Sequence, residues 1–534
     1  MLFSNKLQGY TDWQNDYANT DWQSLAFQEA TSTMFDFSVS GGSEKMQYFT
    51  SVGYNYQDGI MIGNHGDRFN ITNNMDAQLT EKLKLGTSLT ISRSINNDIP
   101  DDNSFSTPLQ MVAQSPLTPP QDTTGEYYNT PTTLYYNPLI EVDNVFFEST
   151  TFRTIGNLSA EYQLRPVLAL RAELGGDITN HWQQRFYGSK SEVGLSVGGY
   201  ATNFNSTVQY FDTKMLLLYS QKFGKSTLGA TTGVEYNQYD DQYNSVEGQG
   251  FPSDKLQTLA SAAEIVYGTG VLNAYRFLSY FTRITYDYDT KYLFNVTVRA
   301  DGSSRFGENK RYGVFPSGSF GWVVSNEDFL KGNKTLSFLK VRMSYGMTGN
   351  AGIGNYDYKG LYAVGSYAGT SALYPSTIAN PDLTWEKTTQ ADLGIDFGFI
   401  NDRINGEFDV YLKQTTDLLL DVPVPSTTGF TVQTQNVGSL ENKGVEFTIN
   451  SDNFVRTFTW STSVNFSANR NKITELANGQ TIIDYGGSDF MNVVMVGQPL
   501  GVFYGAEYAG VDSENGSCLE SSITEGDNPV HEFD

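Results

Sequence analysis

Cysteine, histidine, positive charge and long apolar runs are all scarce in this chain, and each shortage removes a class of function. The single cysteine, Cys518, leaves no internal disulfide framework and no cysteine-based metal spacing. The three histidines, His65, His181 and His531, stand far apart with no metal-ligand spacing. No G-x-S-x-G elbow, phosphate-cradling loop or Cys–His pair is present, so neither catalysis nor a cofactor is expected. Lys plus Arg number 34 against 59 Asp plus Glu, a net charge of −25, which argues against a nucleic-acid partner. No window reaches the run of about 18 apolar residues that a membrane helix requires. The opening "MLFSNKLQGYTDW" lacks the apolar stretch of a signal peptide.

What the chain has is strand-forming material. Charged residues make up only 17%, aromatics reach 14%, and there are 51 Gly, 34 Tyr and 34 Phe. Gly, Tyr, Phe and Thr in these amounts favour strands over helices. Strict alternation follows. In "TQADLGIDFGF", Ala391, Leu393, Ile395, Phe397 and Phe399 share one face, and Gln390, Asp392, Gly394, Asp396 and Gly398 the other. "INGEFDVYLK" repeats the pattern after the short turn "INDR". Phe458, Trp460, Thr462, Val464 and Phe466 oppose Thr459, Ser461, Ser463, Asn465 and Ser467. Tyr292, Phe294, Val296 and Val298 oppose Asn295, Thr297, Arg299 and Asp301.

About seventeen such runs can be counted, many about 10–14 residues long. Short turns ("GGSEK", "LTEK", "QLRP", "KFGK", "DYDTK", "INDR", "DNFVR") alternate with mostly longer links near 95–150, 188–207, 240–272, 348–386, 417–441 and 470–500. Tight turns at one end and long loops at the other describe an outer-membrane β-barrel. A soluble sandwich also alternates, but its strands average about 5–6 residues, whereas a tilted membrane strand needs about 9–11. Aromatics near strand ends, such as Tyr286, Tyr288, Tyr292, Phe399 and Trp460, suit a girdle at the lipid–water boundary. The fold class expected is therefore all-β, a large transmembrane antiparallel barrel with a wet interior. Arg283, Arg299, Asp392, Asp396 and Glu407 are expected to face that interior.

The knot "DGSSRFGENKRYG" joins the loop ends of its two strands. Gly302 and Gly307 are read as permitting tight backbone turns, and Arg305, Lys310 and Arg311 as solubilising, loop-pairing charges in preference to contacts with lipopolysaccharide phosphate or a partner protein. The link near 97–150 carries seven of the sixteen prolines, with Tyr127, Tyr128, Tyr135 and Tyr136 among them. Tyrosines in a stiffened loop can stack on sugar rings or peptide side chains. Trp182, Arg185 and Tyr187, in "HWQQRFYG", offer a second rim group. These seven are the candidate ligand-binding residues, set against the plainer reading that they pack on neighbouring loops or line a girdle. Asp98, Asp101 and Asp102 in "NNDIPDDN" are read as a solvated loop in preference to an ion site.

Several segments carry a resemblance. "NTDWQ" (19–23), "FSVSGGSEKMQYFTSVGYNYQDGI" (37–60), "RADGSSRFGENKRYGVFPSGSFGW" (299–322) and "SYGMTGNAGIGNYDY" (344–358) resemble the SusC/RagA family of TonB-dependent outer-membrane transporters. So do "NPDLTWEKTTQADLGIDFGF" (380–399), "QNVGSLENKGVEF" (435–447) and "GQPLGVFYG" (497–505). The resemblance implies a barrel of about 22 strands with a plug. It also implies a SusD-like surface lipoprotein as partner, energy from TonB–ExbB–ExbD, and oligosaccharide or oligopeptide as cargo. It implies that signal peptide, small β-sandwich, TonB box and plug lie before residue 1, and that further strands follow. On that expectation residues 1–34 lead in from the plug, 35–511 form a partial barrel unable to close or couple to TonB alone, and 512–534 are an unpatterned acidic tail. A siderophore or cobalamin receptor and a non-transporting adhesin or structural barrel are the other functions weighed.

Overall fold

The computed structural model describes residues 19–98, 111, 113–116, 118–122, 124–127, 136–333, 335–479, 482–484, 492–503, 508–511 and 518–520. The first strands are β1 (Ser32–Gly42), β2 (Met46–Asp58), β3 (His65–Gln78), β4 (Leu83–Asn97), β5 (Val145–Arg165), β6 (Leu168–Tyr187), β7 (Tyr200–Phe223), β8 (Ser226–Gln249) and β9 (Glu264–Tyr288). They continue as β10 (Tyr292–Ser303), β11 (Tyr312–Val323), β12 (Leu336–Asn350), β13 (Tyr362–Tyr367), β14 (Thr370–Pro375), β15 (Glu386–Phe399), β16 (Ile404–Thr416), β17 (Leu419–Pro423), β18 (Val432–Asn436), β19 (Ser439–Val455) and β20 (Thr459–Glu475). Sixteen of these form one sheet in chain order, β1 to β12 followed by β15, β16, β19 and β20. β13 pairs only with β14, and β17 only with β18, as two hairpins set in loops. By contact the chain divides into two units, Met1–Tyr219 with Thr231–Tyr280, and Ser220–Ala230 with Phe281–Asp534.

Register carries the two-faced pattern from strand to strand. In the second unit one rung runs Phe294, Phe320, Met343, Leu393, Val410, Val445 and Ala468. The next rung runs Asn295, Ser319, Ser344, Asp392, Tyr411, Gly444 and Asn469. The first unit repeats this, with Phe37, Val52, Ile71 and Ile91 beside Asp36, Gly53, Asn70 and Ser92. A slip of one residue in any pair would swap the faces. The apolar face is uncovered: Val296 is 52% exposed, Met343 54% and Leu393 48%. Arg283, Arg299, Asp392, Asp396 and Glu407 all fall on the polar face, as expected.

Strands are longer than their sequence pattern implies. β9 has 25 residues and β7 and β8 have 24 each, well beyond the roughly 9–11 that cross a bilayer. They run on into the long-loop end, so 200–207, 240–249 and 264–272, expected in links, are strand. At the short-turn end, Tyr288 stacks near Tyr292 (6.4 Å) and Tyr292 near Trp322 (6.5 Å). Glu327, in the turn after β11, accepts from Tyr292 Oη (2.6 Å), Trp322 Nε1 (3.1 Å) and Lys291 Nζ (3.0 Å). The tyrosine hydroxyl above all, then the ammonium and indole, hold the Glu327 carboxyl down to about 2. The polar tips of the aromatic belt are thus tied to a charge on the water side.

Because the sheet buries no apolar face among the described residues, compact hydrophobic clusters lie at the strand ends. Phe186, Ala201 and Phe251 form one, with Phe186 edge-on to Phe251 at 5.1 Å. Trp22, Ala26, Met111 and Leu139 form another, and Trp22 Nε1 donates to the Ser115 carbonyl (3.1 Å).

Arginine at Leu393 would place a charge among outward side chains. Leu393→Arg is expected to lower stability in phospholipid vesicles by about 2–4 kcal/mol, read by urea unfolding. Ser467→Arg, opposite Glu446 on the polar face, is expected to leave stability nearly unchanged.

Candidate functional site

Three places concentrate chemistry: the polar wall of the second unit, its long-loop knot, and a cleft at the long-loop end of the first unit. The wall centres on Arg342. Its Nε donates to Asp396 Oδ1 (2.8 Å) and its Nη2 to Asp409 Oδ2 (2.7 Å), with Asp392 and Glu407 each at 3.6 Å. Lys340 joins Asp396 at 3.2 Å. Gly394 makes the space: a Cβ there would lie 2.4 Å from Asp409 Oδ1 and 2.6 Å from the guanidinium carbon. Arg342, Asp392, Glu407, Asp409, Tyr411, Lys413 and Glu446 line a recess of about 590 Å³. The recess is wet and charged, a surface for a solvated solute and not for lipid.

In the knot between β10 and β11, Lys310 and Arg311 are exposed, whereas Arg305 is drawn into the loops. Arg305 reaches the Ala351 carbonyl (2.8 Å) and Asn355 Oδ1 (2.9 Å) on the next long loop. Through these two hydrogen bonds Arg305 ties one long loop to the next. Phe306 is wholly buried and packs 5.2 Å from Trp385, whose Nε1 donates to the Arg311 carbonyl (2.8 Å). Gly302 and Gly307 serve close approach and not a left-handed turn. A Cβ on Gly302 would meet the Tyr312 ring at 2.6 Å, and one on Gly307 the Pro381 carbonyl oxygen at 2.3 Å.

In the first unit, Tyr127 and Tyr136 line one cleft of about 560 Å³ with Glu126, Ile140, Asp143, Lys190 and Leu195. Tight turn chemistry builds it. Asp122 Oδ1 accepts from Thr124 N (2.7 Å), Thr124 Oγ1 (2.6 Å) and Glu126 N (3.1 Å), and Gly125 takes φ +88. Asn137 caps the helix Pro138–Asn144 by accepting from Leu139 N (3.1 Å). Tyr136 Oη donates to the Lys190 carbonyl (2.6 Å), which fastens this loop to the β6–β7 loop. Tyr128 and Tyr135 lie outside the described residues, as do Asp101, Asp102 and His531.

The second rim group does not converge on that cleft. Trp182 pairs with Thr150 and lies one position out of phase with Arg185 and Tyr187, hence on the opposite face of β6. The Arg185 guanidinium sits 4.2 Å over the Phe147 ring, and Tyr187 lies 6.2 Å from Tyr200. His181 contacts Thr151 (3.0 Å) and His65 contacts Asn97 (2.6 Å), each a partner within the wall.

One buried carboxyl was not foreseen. Glu141 Oε1 accepts from Glu192 N (2.6 Å), linking the helix Pro138–Asn144 to the helix Glu192–Leu195. Burial pushes its pKa up to about 7, partly opposed by that backbone donor and reinforced by the Glu192 carboxylate.

The residue pattern has known counterparts. The family described as TonB dependent receptor-like, beta-barrel, matches residues 88–501. The chain belongs to the TonB-dependent receptor family. TonB-dependent receptor P3 of Formosa agariphila is 32% identical over 555 residues, covering 98% of this chain and 54% of that protein. TonB-dependent receptor SusC of Bacteroides thetaiotaomicron is 32% identical over 561 residues, covering 95% of this chain and 54% of SusC. The structure of the RagAB peptide transporter matches with TM-score 0.85 and 29% identity, over 97% of this chain and 60% of that one. The chain spans about half the length of the curated relatives it matches. Together these place it in the SusC/RagA-type branch, as an outer-membrane β-barrel; barrels of this kind have short periplasmic turns and longer outer loops.

For this TonB-dependent receptor barrel, the sign of the Glu141 linkage follows from its raised pKa. The protonated carboxyl favours the folded loop pair, so that contribution is complete below the ordinary carboxylate range and is lost as pH rises through about 7. Limited proteolysis within the 188–199 loop is expected to be faster at pH 8.5 than at pH 5.5. Glu141→Gln is expected to flatten that difference.

Proposed function

We propose that this chain forms the barrel wall of an outer-membrane importer of oligosaccharides or oligopeptides. In this reading it works beneath a SusD-like surface lipoprotein and draws energy from TonB–ExbB–ExbD. One observation carries the proposal: similarity to both SusC and the RagAB peptide transporter over nearly the whole chain. The structure adds a physical reason. A hydrated, charged face such as the Arg342 recess is what a polar cargo needs on its way past the hydrocarbon. A siderophore or cobalamin receptor is the weaker reading, because the relatives matched at about 30% identity include SusC and the RagAB peptide transporter. A non-transporting adhesin leaves the wet wall without a use.

Among the seven rim residues, Tyr127 and Tyr136 are assigned to ligand contact because they share one cleft with Glu126, Asp143 and Lys190, which no ion pair joins among the described residues. Tyr128 and Tyr135 are their neighbours in the chain and belong to the same proposal. Arg185 and Tyr187 are assigned to bracing the wall, and Trp182 to its opposite face. Lipid and lipopolysaccharide surround the barrel in this proposal without a dedicated site.

Deleting the gene in its native host is expected to abolish uptake of fluorescent oligosaccharides or oligopeptides. Dissipating the proton-motive force in the parent strain is expected to stop that uptake just as completely. Uptake that persists without the force would contradict an energised importer.

A further inference from the structure

Two neutral side chains of the Tyr127–Tyr136 cleft, Tyr136 and Asn144, are already engaged within the fold. Tyr136 Oη donates to the Lys190 carbonyl (2.6 Å), and its own carbonyl accepts from Gln114 Nε2 (3.0 Å). Asn144 Nδ2 donates to the Ile140 carbonyl (2.9 Å). The charged side chains of the cleft differ. Glu126, Asp143 and Lys190 are exposed, and no ion pair joins them among the described residues. Tyr127 shows a partly exposed ring (38%), and Leu195 is an exposed aliphatic at 62%.

A neutral glycan offers hydroxyl groups and flat ring faces, and binds where uncommitted amides, hydroxyls and aromatic planes meet them. Of these, the described lining of this cleft offers the ring and hydroxyl of Tyr127. It has charges of both signs around an aliphatic and an aromatic surface. That set matches an unblocked oligopeptide. Carboxylates Glu126 and Asp143 would meet its ammonium groups, the Lys190 ammonium its carboxylate, and Tyr127 with Leu195 an apolar side chain. The cleft is also held in shape before binding, because Asp122, Asn137 and Tyr136 fix its three segments to one another. Little ordering remains for the ligand to drive.

We infer that the Tyr127–Tyr136–Lys190 cleft is a recognition site for zwitterionic oligopeptides, which makes peptide, not neutral glycan, the cargo class. This rests on the importer reading and narrows it. The test uses the full gene product purified in detergent, with two probes. One is a pool of unblocked eight-residue peptides built from Ala, Leu, Lys and Glu; the other is a pool of neutral hexasaccharides. Retention is read by native mass spectrometry at low and at high salt.

The expected result is retention of peptides, weakened at high salt, and no retention of hexasaccharides. Lys190→Ala and Glu126→Gln, both at exposed positions, are expected to weaken peptide retention about tenfold each, as for loss of one charge-assisted contact. Circular dichroism and heat-modifiable migration are expected to match the parent. Hexasaccharide retention without peptide retention would overturn the cargo class while leaving energised uptake intact. Peptide retention that ignores both substitutions would overturn the cleft as its site. Failure of the importer reading itself is a separate result, seen as uptake that survives collapse of the proton-motive force.

Discussion

Backbone amides cannot go unpaired in hydrocarbon, and this one constraint organises the chain. It forces strands to pair along their full crossing, and pairing in turn forces side chains to sort by parity. The rungs Phe294 to Ala468 and Asn295 to Asn469 are that sorting made visible across seven strands. The outward rung is greasy because it meets lipid, and the inward rung is polar because it meets water. Arg342 can sit among Asp392, Asp396, Glu407 and Asp409 only because the wall turns them all the same way.

A sheet that spends its apolar face on lipid has none left for a conventional core. Loop structure must then come from elsewhere, and the strand ends supply it. Phe306 and Trp385 lock one pair of long loops, and Phe186 with Phe251 another. Hydrogen bonds from Arg305 and Tyr136 add ties between loops far apart in sequence. Among the described residues these ties join the long loops to one another, and the cleft of Tyr127 and Lys190 is one of the surfaces they build.

Much of the wall was legible in sequence because its signal is local. Alternation over 390–399 named the face of each of those residues in β15, and the short turns marked one end of the barrel. Strand ends at the long-loop side were not legible. There β7, β8 and β9 run on past the apolar–polar alternation, with Ala201 of β7 packed in the Phe186–Phe251 cluster, so the pattern fades while pairing persists. The hairpin of β13 and β14 hid inside an expected link for the same reason. The functional detail was harder still. Arg342 finds Asp396 54 residues away and Asp409 67 away, and Tyr136 finds Lys190 54 away. No local window contains such pairs. Gly302 and Gly307 were noticed, but sequence alone suggested turn conformations where the fold needs room for Tyr312 and Pro381.

The most direct test places nitroxide spin labels, one at a time, on β15 of the barrel in lipid. Labels at Leu393 and Phe397 are predicted to relax with membrane-dissolved oxygen and to be sheltered from a water-soluble nickel chelate. A label at Gln390 is predicted to show the reverse. Leu393 and Phe397 sheltered from oxygen, or Gln390 responding as they do, would contradict a wall that is greasy outside and wet within.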